Sequence, residues 1–75
     1  MSAAANHKRL GRNIANARKA AGMTQEQLAD AADMHFTAIS RLERGLRAPR
    51  FDTLIAVAWA LRVPPGDLLD GIRKP

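Results

Sequence analysis

The 75-residue sequence contains no cysteine, so neither disulfides nor thiolate metal ligands can hold it together. Aromatic residues are scarce, with two phenylalanines, one tryptophan and no tyrosine. Alanine and leucine supply most of the apolar residues, which favours helices over a β-sandwich. No apolar run approaches the roughly 20 residues of a membrane span, and residues 1–6 are too few and too polar for a signal peptide. We expect a single domain over residues 1–75, located in the cytoplasm.

The charge balance is basic, with 12 Lys and Arg against 7 Asp and Glu and a formal net charge of +5. Four of the arginines, Arg41, Arg44, Arg47 and Arg50, recur at three-residue spacing, whereas most acidic residues lie elsewhere in the sequence. A solvated surface is the alternative interpretation of the net charge. The clustering, however, favours a surface that faces phosphates.

Hydrophobic periodicity and end signals predict five helices. The first covers Lys8–Ala21, with a buried stripe at Leu10, Ile14, Ala17 and Ala21, and Gly22 ends it. A close helix crossing is one explanation for Gly11 within this helix. Residues 1–6 are predicted to be a disordered lead with Asn6 as a possible N-cap, and residues 73–75 a frayed tail. The fourth helix covers Phe51–Leu61, and the last begins at Pro65.

The second and third helices lie between Thr24 and Gly45. Thr24 and Gln27 have the spacing of a capping box, and the second helix should end near Ala31 or Ala32. Two helices this short must pack against others to be stable. The third helix leaves small polar groups and two arginines on its outward side, which suits a DNA major groove.

The strings GMTQEQLA at 22–29 and ISRLERG at 39–45 resemble the helix-turn-helix of Cro/CI and Xre-like regulators. The resemblance extends from about Lys8 to Gly71. It implies an all-α, five-helix, lambda-repressor-like domain that binds double-stranded DNA and regulates transcription. Because one recognition helix reads too few base pairs for useful specificity, we expect a homodimer on a pseudo-palindromic operator. No metal, cofactor or small-molecule effector is expected. Phage repressor domains and controller proteins of restriction-modification systems both match in size and style.

The resemblance also assigns site residues. Arg41 is expected to bond guanine N7 and O6. Phe36 either contacts thymine methyl groups or folds back onto Met34, and Asp33 takes a turn position where the family prefers glycine. The expected base contacts are Phe36, Thr37, Ser40 and Arg41, and the expected phosphate contacts are Gln25, His35, Arg44, Arg47 and Arg50.

Two further predictions concern packing. In the phage repressors the positions of Arg18 and Glu43 form an internal ion pair, and we expect the same here, the alternative being two unrelated surface charges. Trp59 either fills a gap in the core or contacts a second copy of the chain. The predicted dimer surface consists of Ile55, Trp59, Leu68, Leu69 and Ile72.

Other function classes have less support in the sequence. His7 and His35 have no carboxylate-rich or thiol neighbourhood, and there is no nucleophile elbow or glycine-rich loop, so an enzyme is not expected. An antitoxin that chiefly binds a toxin, with DNA binding as autoregulation, is the main alternative. A basic helix on a membrane surface is disfavoured because the Lys and Arg residues form no continuous amphipathic stripe.

Overall fold

The computed structural model describes residues 2–74, which form four α-helices and one 3-10 helix. These are α1 (Ala3–Ala20), α2 (Gln25–Ala31), α3 (Phe36–Glu43), α4 (Phe51–Leu61) and the 3-10 helix Pro65–Leu69. The all-α class is confirmed. The fifth helix differs from the prediction because only five residues separate Pro64 from Asp70, and a run this short commonly adopts 3-10 geometry.

The chain ends are more ordered than predicted. Helix α1 begins at Ala3 instead of Lys8, because the Ser2 hydroxyl accepts a hydrogen bond from the Ala5 amide at 3.1 Å and alanine strongly favours helix. Asn6 is therefore inside the helix. Its Nδ2 donates to the Arg73 carbonyl at 2.5 Å, and its Oδ1 accepts from the Arg73 amide at 3.1 Å. The prediction of a disordered lead was thus wrong for residues 3–6, and the prediction of a frayed tail was wrong for residue 73. Met1 and Pro75 lie outside the described residues.

All five elements contribute to one hydrophobic core. Helix α1 contributes Leu10 and Ile14, while Ala21 of the predicted stripe is exposed at the helix end. The fully buried side chains at its centre come from every element: Ile14, Leu28, Ile39, Val57 and Leu68. None of the helices in residues 2–74 combines the length and apolar character needed to cross a membrane.

Gly11 lets α1 approach the end of α3 at backbone contact. A Cβ atom at Gly11 would lie 2.7 Å from the Leu42 carbonyl oxygen and closer still to that of Glu43. No side chain fits there without moving α3, since the obstructing atoms belong to its backbone. The close helix crossing suggested by the sequence is present, and it fixes the position of α3 from behind.

The junction between α2 and α3 follows the local sequence signals. The Thr24 hydroxyl accepts from the Gln27 amide at 3.1 Å, and Gln27 Oε1 accepts from the Thr24 amide at 2.9 Å, so the predicted capping box forms. Helix α2 ends at Ala31, within the predicted bounds. Asp33 has φ of 55°, the left-handed conformation that the turn requires. These features hold α3 at a defined angle to α2.

Candidate nucleic-acid interface

Helix α3 has one buried side and one accessible side. Ile39 is 0% exposed and Leu42 is 4% exposed, so this side is part of the core. Thr37 and Arg41 are exposed, and Ser40 is half-buried. Phe36 is 48% exposed, so about half of its surface remains accessible to a ligand. The outward direction predicted for Thr37 and Arg41 is what the structure shows.

A groove lies between α3 and the segment that connects it to α4. Its volume is about 710 Å³. It brings base-contact and phosphate-contact candidates from separate parts of the sequence together, namely His35, Thr37, Arg41, Arg47 and Arg50. None of the residues that line it is acidic, so its electrostatic potential favours an anion.

Thr53 also lines the groove, although it was not among the predicted contact residues. This residue lies in the first turn of α4, three positions after Arg50. The three-residue spacing between Arg50 and Thr53 could have predicted this position, because residues i and i+3 lie side by side in a helical turn. Thr53 therefore joins the groove residues as a candidate contact to DNA.

Four of the predicted contact residues do not line the groove: Gln25, Phe36, Ser40 and Arg44. The Arg44 guanidinium donates from Nε to the Ser40 carbonyl of its own helix at 3.4 Å. Gln25 Nε2 donates to Glu43 Oε1 at 3.0 Å. Because an amide nitrogen carries two hydrogens, Gln25 keeps a second N–H that a phosphate could accept.

Behind α3, Arg18 and Glu43 form a two-point ion pair. Arg18 Nε lies 2.7 Å from Glu43 Oε2, and Nη2 lies 3.1 Å from Oε1. The two side chains are 12% and 6% exposed, respectively. Arg18 Nη1 also donates to the Met23 carbonyl at 2.8 Å. The pair, together with the Gln25 amide, therefore ties the end of α3 to α1 and to the start of α2.

The charge of Arg18 is stabilised by this arrangement. The hydrogen bonds that Arg18 donates to Glu43 raise the pKa of Arg18 above its ordinary value, burial acts in the opposite direction, and the attraction of the Glu43 carboxylate raises the pKa further. Because the pKa of Arg18 is raised, the ion pair stabilises the fold fully below the ordinary pKa of arginine. This stabilisation is lost only as the pH rises through the raised pKa of Arg18. The guanidinium therefore remains charged wherever the domain would function.

The predicted dimer residues are placed very differently from one another. Trp59 is 79% exposed, so it does not fill a gap in the core. Leu68 is 1% exposed, and its assignment to the dimer surface was wrong because it completes the core between α1 and α4. Ile72 packs partly against the core, and Leu69 is 42% exposed. Phe51, which was not among the predicted dimer residues, is 74% exposed.

The described residues contain no cluster of three or more His, Cys, Asp or Glu side chains that could hold a metal ion. Both histidines lack such neighbours, and Arg9 among the basic residues of α1 is engaged elsewhere. Its Nη2 lies 3.6 Å from Asp70 Oδ2, and its Nε donates to the Asp70 carbonyl at 3.1 Å.

A helix beside an anion-attracting groove, joined by a tight turn to the preceding helix α2 and packed against α1, is the arrangement of a helix-turn-helix module. The helix-turn-helix family model (HTH_3) matches residues 14–68, and the chain belongs to this family. The resemblance to Xre-like regulators is thereby confirmed. In sequence the chain is similar to the control protein C.BamHI of Bacillus amyloliquefaciens, with 48% identity over 48 residues. That match covers 64% of this chain and 59% of the length of C.BamHI.

Two solved structures have a similar fold. The restriction-modification controller protein C.AhdI from Aeromonas hydrophila superposes with a TM-score of 0.83 at 28% identity, covering 85% of this chain and 97% of C.AhdI. The clp gene regulator ClgR from Corynebacterium glutamicum superposes with a TM-score of 0.80 at 30% identity, covering 84% of this chain and 82% of ClgR. Both similarities extend over most of the described domain.

Proposed function

We propose that this protein is a sequence-specific regulator of transcription that binds double-stranded DNA through α3 in the major groove. One observation carries the proposal. The exposed side of α3 and the arginines of the following loop share a groove without any acidic side chain. A DNA strand offers that combination of partners, because base edges and phosphates lie next to each other along the major groove.

The groove residues divide into two roles. Arg41 and Thr37 lie on α3 and can reach base edges, where arginine pairs with guanine N7 and O6. Arg47 and Arg50 lie on the connecting loop and suit phosphates, which position the protein without specifying sequence. His35, at the N-cap of α3 without a side-chain capping bond, is available to the phosphate beside that helix end.

A homodimer is the form in which the domain would recognise an operator. One recognition helix contacts only a few base pairs, whereas a two-fold dimer contacts two half-sites about 34 Å apart. The exposed Trp59 supports an unfilled protein contact on α4. As a DNA-binding regulator of this kind, the protein would act in the cytoplasm, as a non-enzyme without a cofactor.

Among the regulator types considered from the sequence, the controller type has specific support. C.BamHI is described as a control protein and C.AhdI as a restriction-modification controller. We therefore infer that this protein controls restriction-modification genes. No observation favours the antitoxin alternative.

Arg50→Ala should weaken binding to all duplexes alike. Arg50 is exposed in the groove, and removing one phosphate contact should reduce the slope of log K against log salt by about one. Fluorescence anisotropy on a labelled duplex at several salt concentrations measures this slope. Arg12→Ala is the matched control, since Arg12 is exposed on α1 outside the groove and removes the same charge. Equal slopes for the two variants would place phosphate binding elsewhere.

A further inference from the structure

The segment that follows the 3-10 helix, residues 70–73, lies against one polar side of α1, and we call it the strap. Asn13 Nδ2 donates to the carbonyls of Leu68 at 2.9 Å and Asp70 at 2.8 Å. Arg9 Nε donates to the same Asp70 carbonyl at 3.1 Å. Carbonyls at the end of a helix have no partner within that helix, so α1 supplies the missing donors. The strap is therefore held through its backbone.

Gly71 lets the strap turn close to Arg9. Its φ is 77°, a left-handed conformation that glycine adopts without strain. A Cβ atom at this position would lie 2.6 Å from Arg9 Nε. An alanine here would have to adopt a strained backbone conformation and displace the Arg9 guanidinium. The path of the strap across α1 thus depends on glycine at position 71.

The end of the strap is held by Asn6. The side-chain amide of Asn6 donates to the Arg73 carbonyl and accepts from the Arg73 amide. A carboxamide carries a donor and an acceptor side by side, so it matches the amide and the carbonyl of one residue. Asn6 is only 9% exposed, which shields these two hydrogen bonds from water.

The start of α1 has little else to hold it. Of residues 3–7, all of which the structure describes, only Asn6 is buried. The buried apolar side of α1 begins later, at Leu10. Helical turns without tertiary contacts are marginal in water even when they are rich in alanine. The order of residues 3–7 therefore depends on the contact between Asn6 and the strap.

We infer that the strap and residues 3–7 form one unit that opens and closes while the core stays folded. With the strap bound, residues 3–7 are helical, and when the strap detaches they unwind. Segments that bury few apolar side chains are the ones that open below global unfolding. Within the strap, Ile72 is the apolar side chain that packs against the core, and it is only partly buried.

The unit adjoins the end of α3. Lys8 follows directly after residues 3–7, and its backbone packs against Gly45, the residue after the C-cap of α3. A Cβ atom at Gly45 would lie 2.6 Å from Lys8 Cα. Closing the strap therefore orders the part of α1 next to the surface on which α3 ends.

Asn6→Ala distinguishes this unit from intrinsic helix preference, because the two predict opposite changes. The amides of residues 6–9 donate to carbonyls at the start of α1, as Asn6 does to Ser2, so their hydrogen exchange reports unwinding. Alanine favours helix more than asparagine does, which alone would slow this exchange. Loss of two hydrogen bonds to the strap should instead speed it about tenfold, together with exchange at the Arg73 amide. Hydrogen exchange followed by NMR measures each amide.

Asn16→Ala is the matched control, because it makes the same change at an exposed position of α1. Exchange at residues 6–9 and at Arg73 should not become faster in this variant. The Ile14 amide, at a fully buried position, reports global unfolding and should remain the most slowly exchanging class in each variant. Slower exchange at residues 6–9 in Asn6→Ala would overturn the inference.

Gly71→Ala tests the same unit from the strap side. It should speed exchange at residues 6–9 severalfold, although it lies more than 60 positions away in sequence. Gly66→Ala is its control, since Gly66 lacks a left-handed φ and a Cβ there would meet no described atom within 4 Å. Unchanged exchange at residues 6–9 in Gly71→Ala would show that the strap and the start of α1 open independently.

Discussion

Glu43→Gln should lower the free energy of unfolding by about 3 kcal/mol, because it leaves the nearly buried Arg18 guanidinium without a counter-charge. The carboxylate accepts from two Arg18 nitrogens and from Gln25, so one substitution disturbs three hydrogen bonds. For a domain of this size the midpoint of thermal unfolding should fall by more than about 10 °C. Circular dichroism during thermal and urea unfolding measures both quantities.

Two variants separate the ion pair from a general effect of charge. Glu26→Gln makes the same chemical change at an exposed position of α2, and we expect its free energy of unfolding to stay within about 0.5 kcal/mol of the parent. Replacing both partners, as Arg18→Met with Glu43→Leu, should recover most of the lost stability, since no charge then remains buried. An unchanged midpoint for Glu43→Gln would show that the pair contributes nothing.

Arg41→Ala should reduce affinity for the preferred duplex by roughly 10- to 100-fold, the equivalent of about 1–3 kcal/mol of base discrimination. Arg41 is exposed on α3 and lines the groove, so its guanidinium is free to pair with a guanine edge. The loss should be confined to duplexes that carry guanine at one position of each half-site. Binding isotherms for duplexes that differ at that base pair measure the effect.

Arg44→Ala is the matched control, because Arg44 is an exposed arginine near the end of the same helix that does not line the groove. As a phosphate candidate it should affect all duplexes alike and leave the order of base preference unchanged. If Arg41→Ala kept the base preference of the parent, Arg41 would not be a base contact.

Much of the fold was predictable because its signals are local. The capping box between Thr24 and Gln27 depends on residues three positions apart, and it formed as expected. The turn position of Asp33 was predicted through the family resemblance, and its φ of 55° fits that position. The contact of Arg18 with Glu43 is not local, and it was predicted only through the family resemblance. Arg47 and Arg50 were predicted as phosphate contacts from their clustering in sequence, and both line the groove.

The errors arose where tertiary contacts decide the outcome. Asparagine is a preferred N-cap residue, so Asn6 suggested a helix start. In the structure Asn6 lies inside a longer helix, and its side chain forms hydrogen bonds with the backbone of Arg73, 67 residues away. Leu68 and Leu69 are adjacent and chemically identical, and only the packing of the 3-10 helix determines that Leu68 is the buried one.

The sequence preference of the whole chain tests DNA recognition by α3 most directly. Random-sequence duplexes would be selected with the purified protein at a fixed salt concentration, and the bound fraction sequenced. Recognition by a pair of α3 helices predicts one enriched two-fold motif whose half-sites lie about 10 base pairs apart, with a guanine that disappears from the motif when Arg41→Ala is used. Salt-dependent binding without enrichment of any sequence would contradict it.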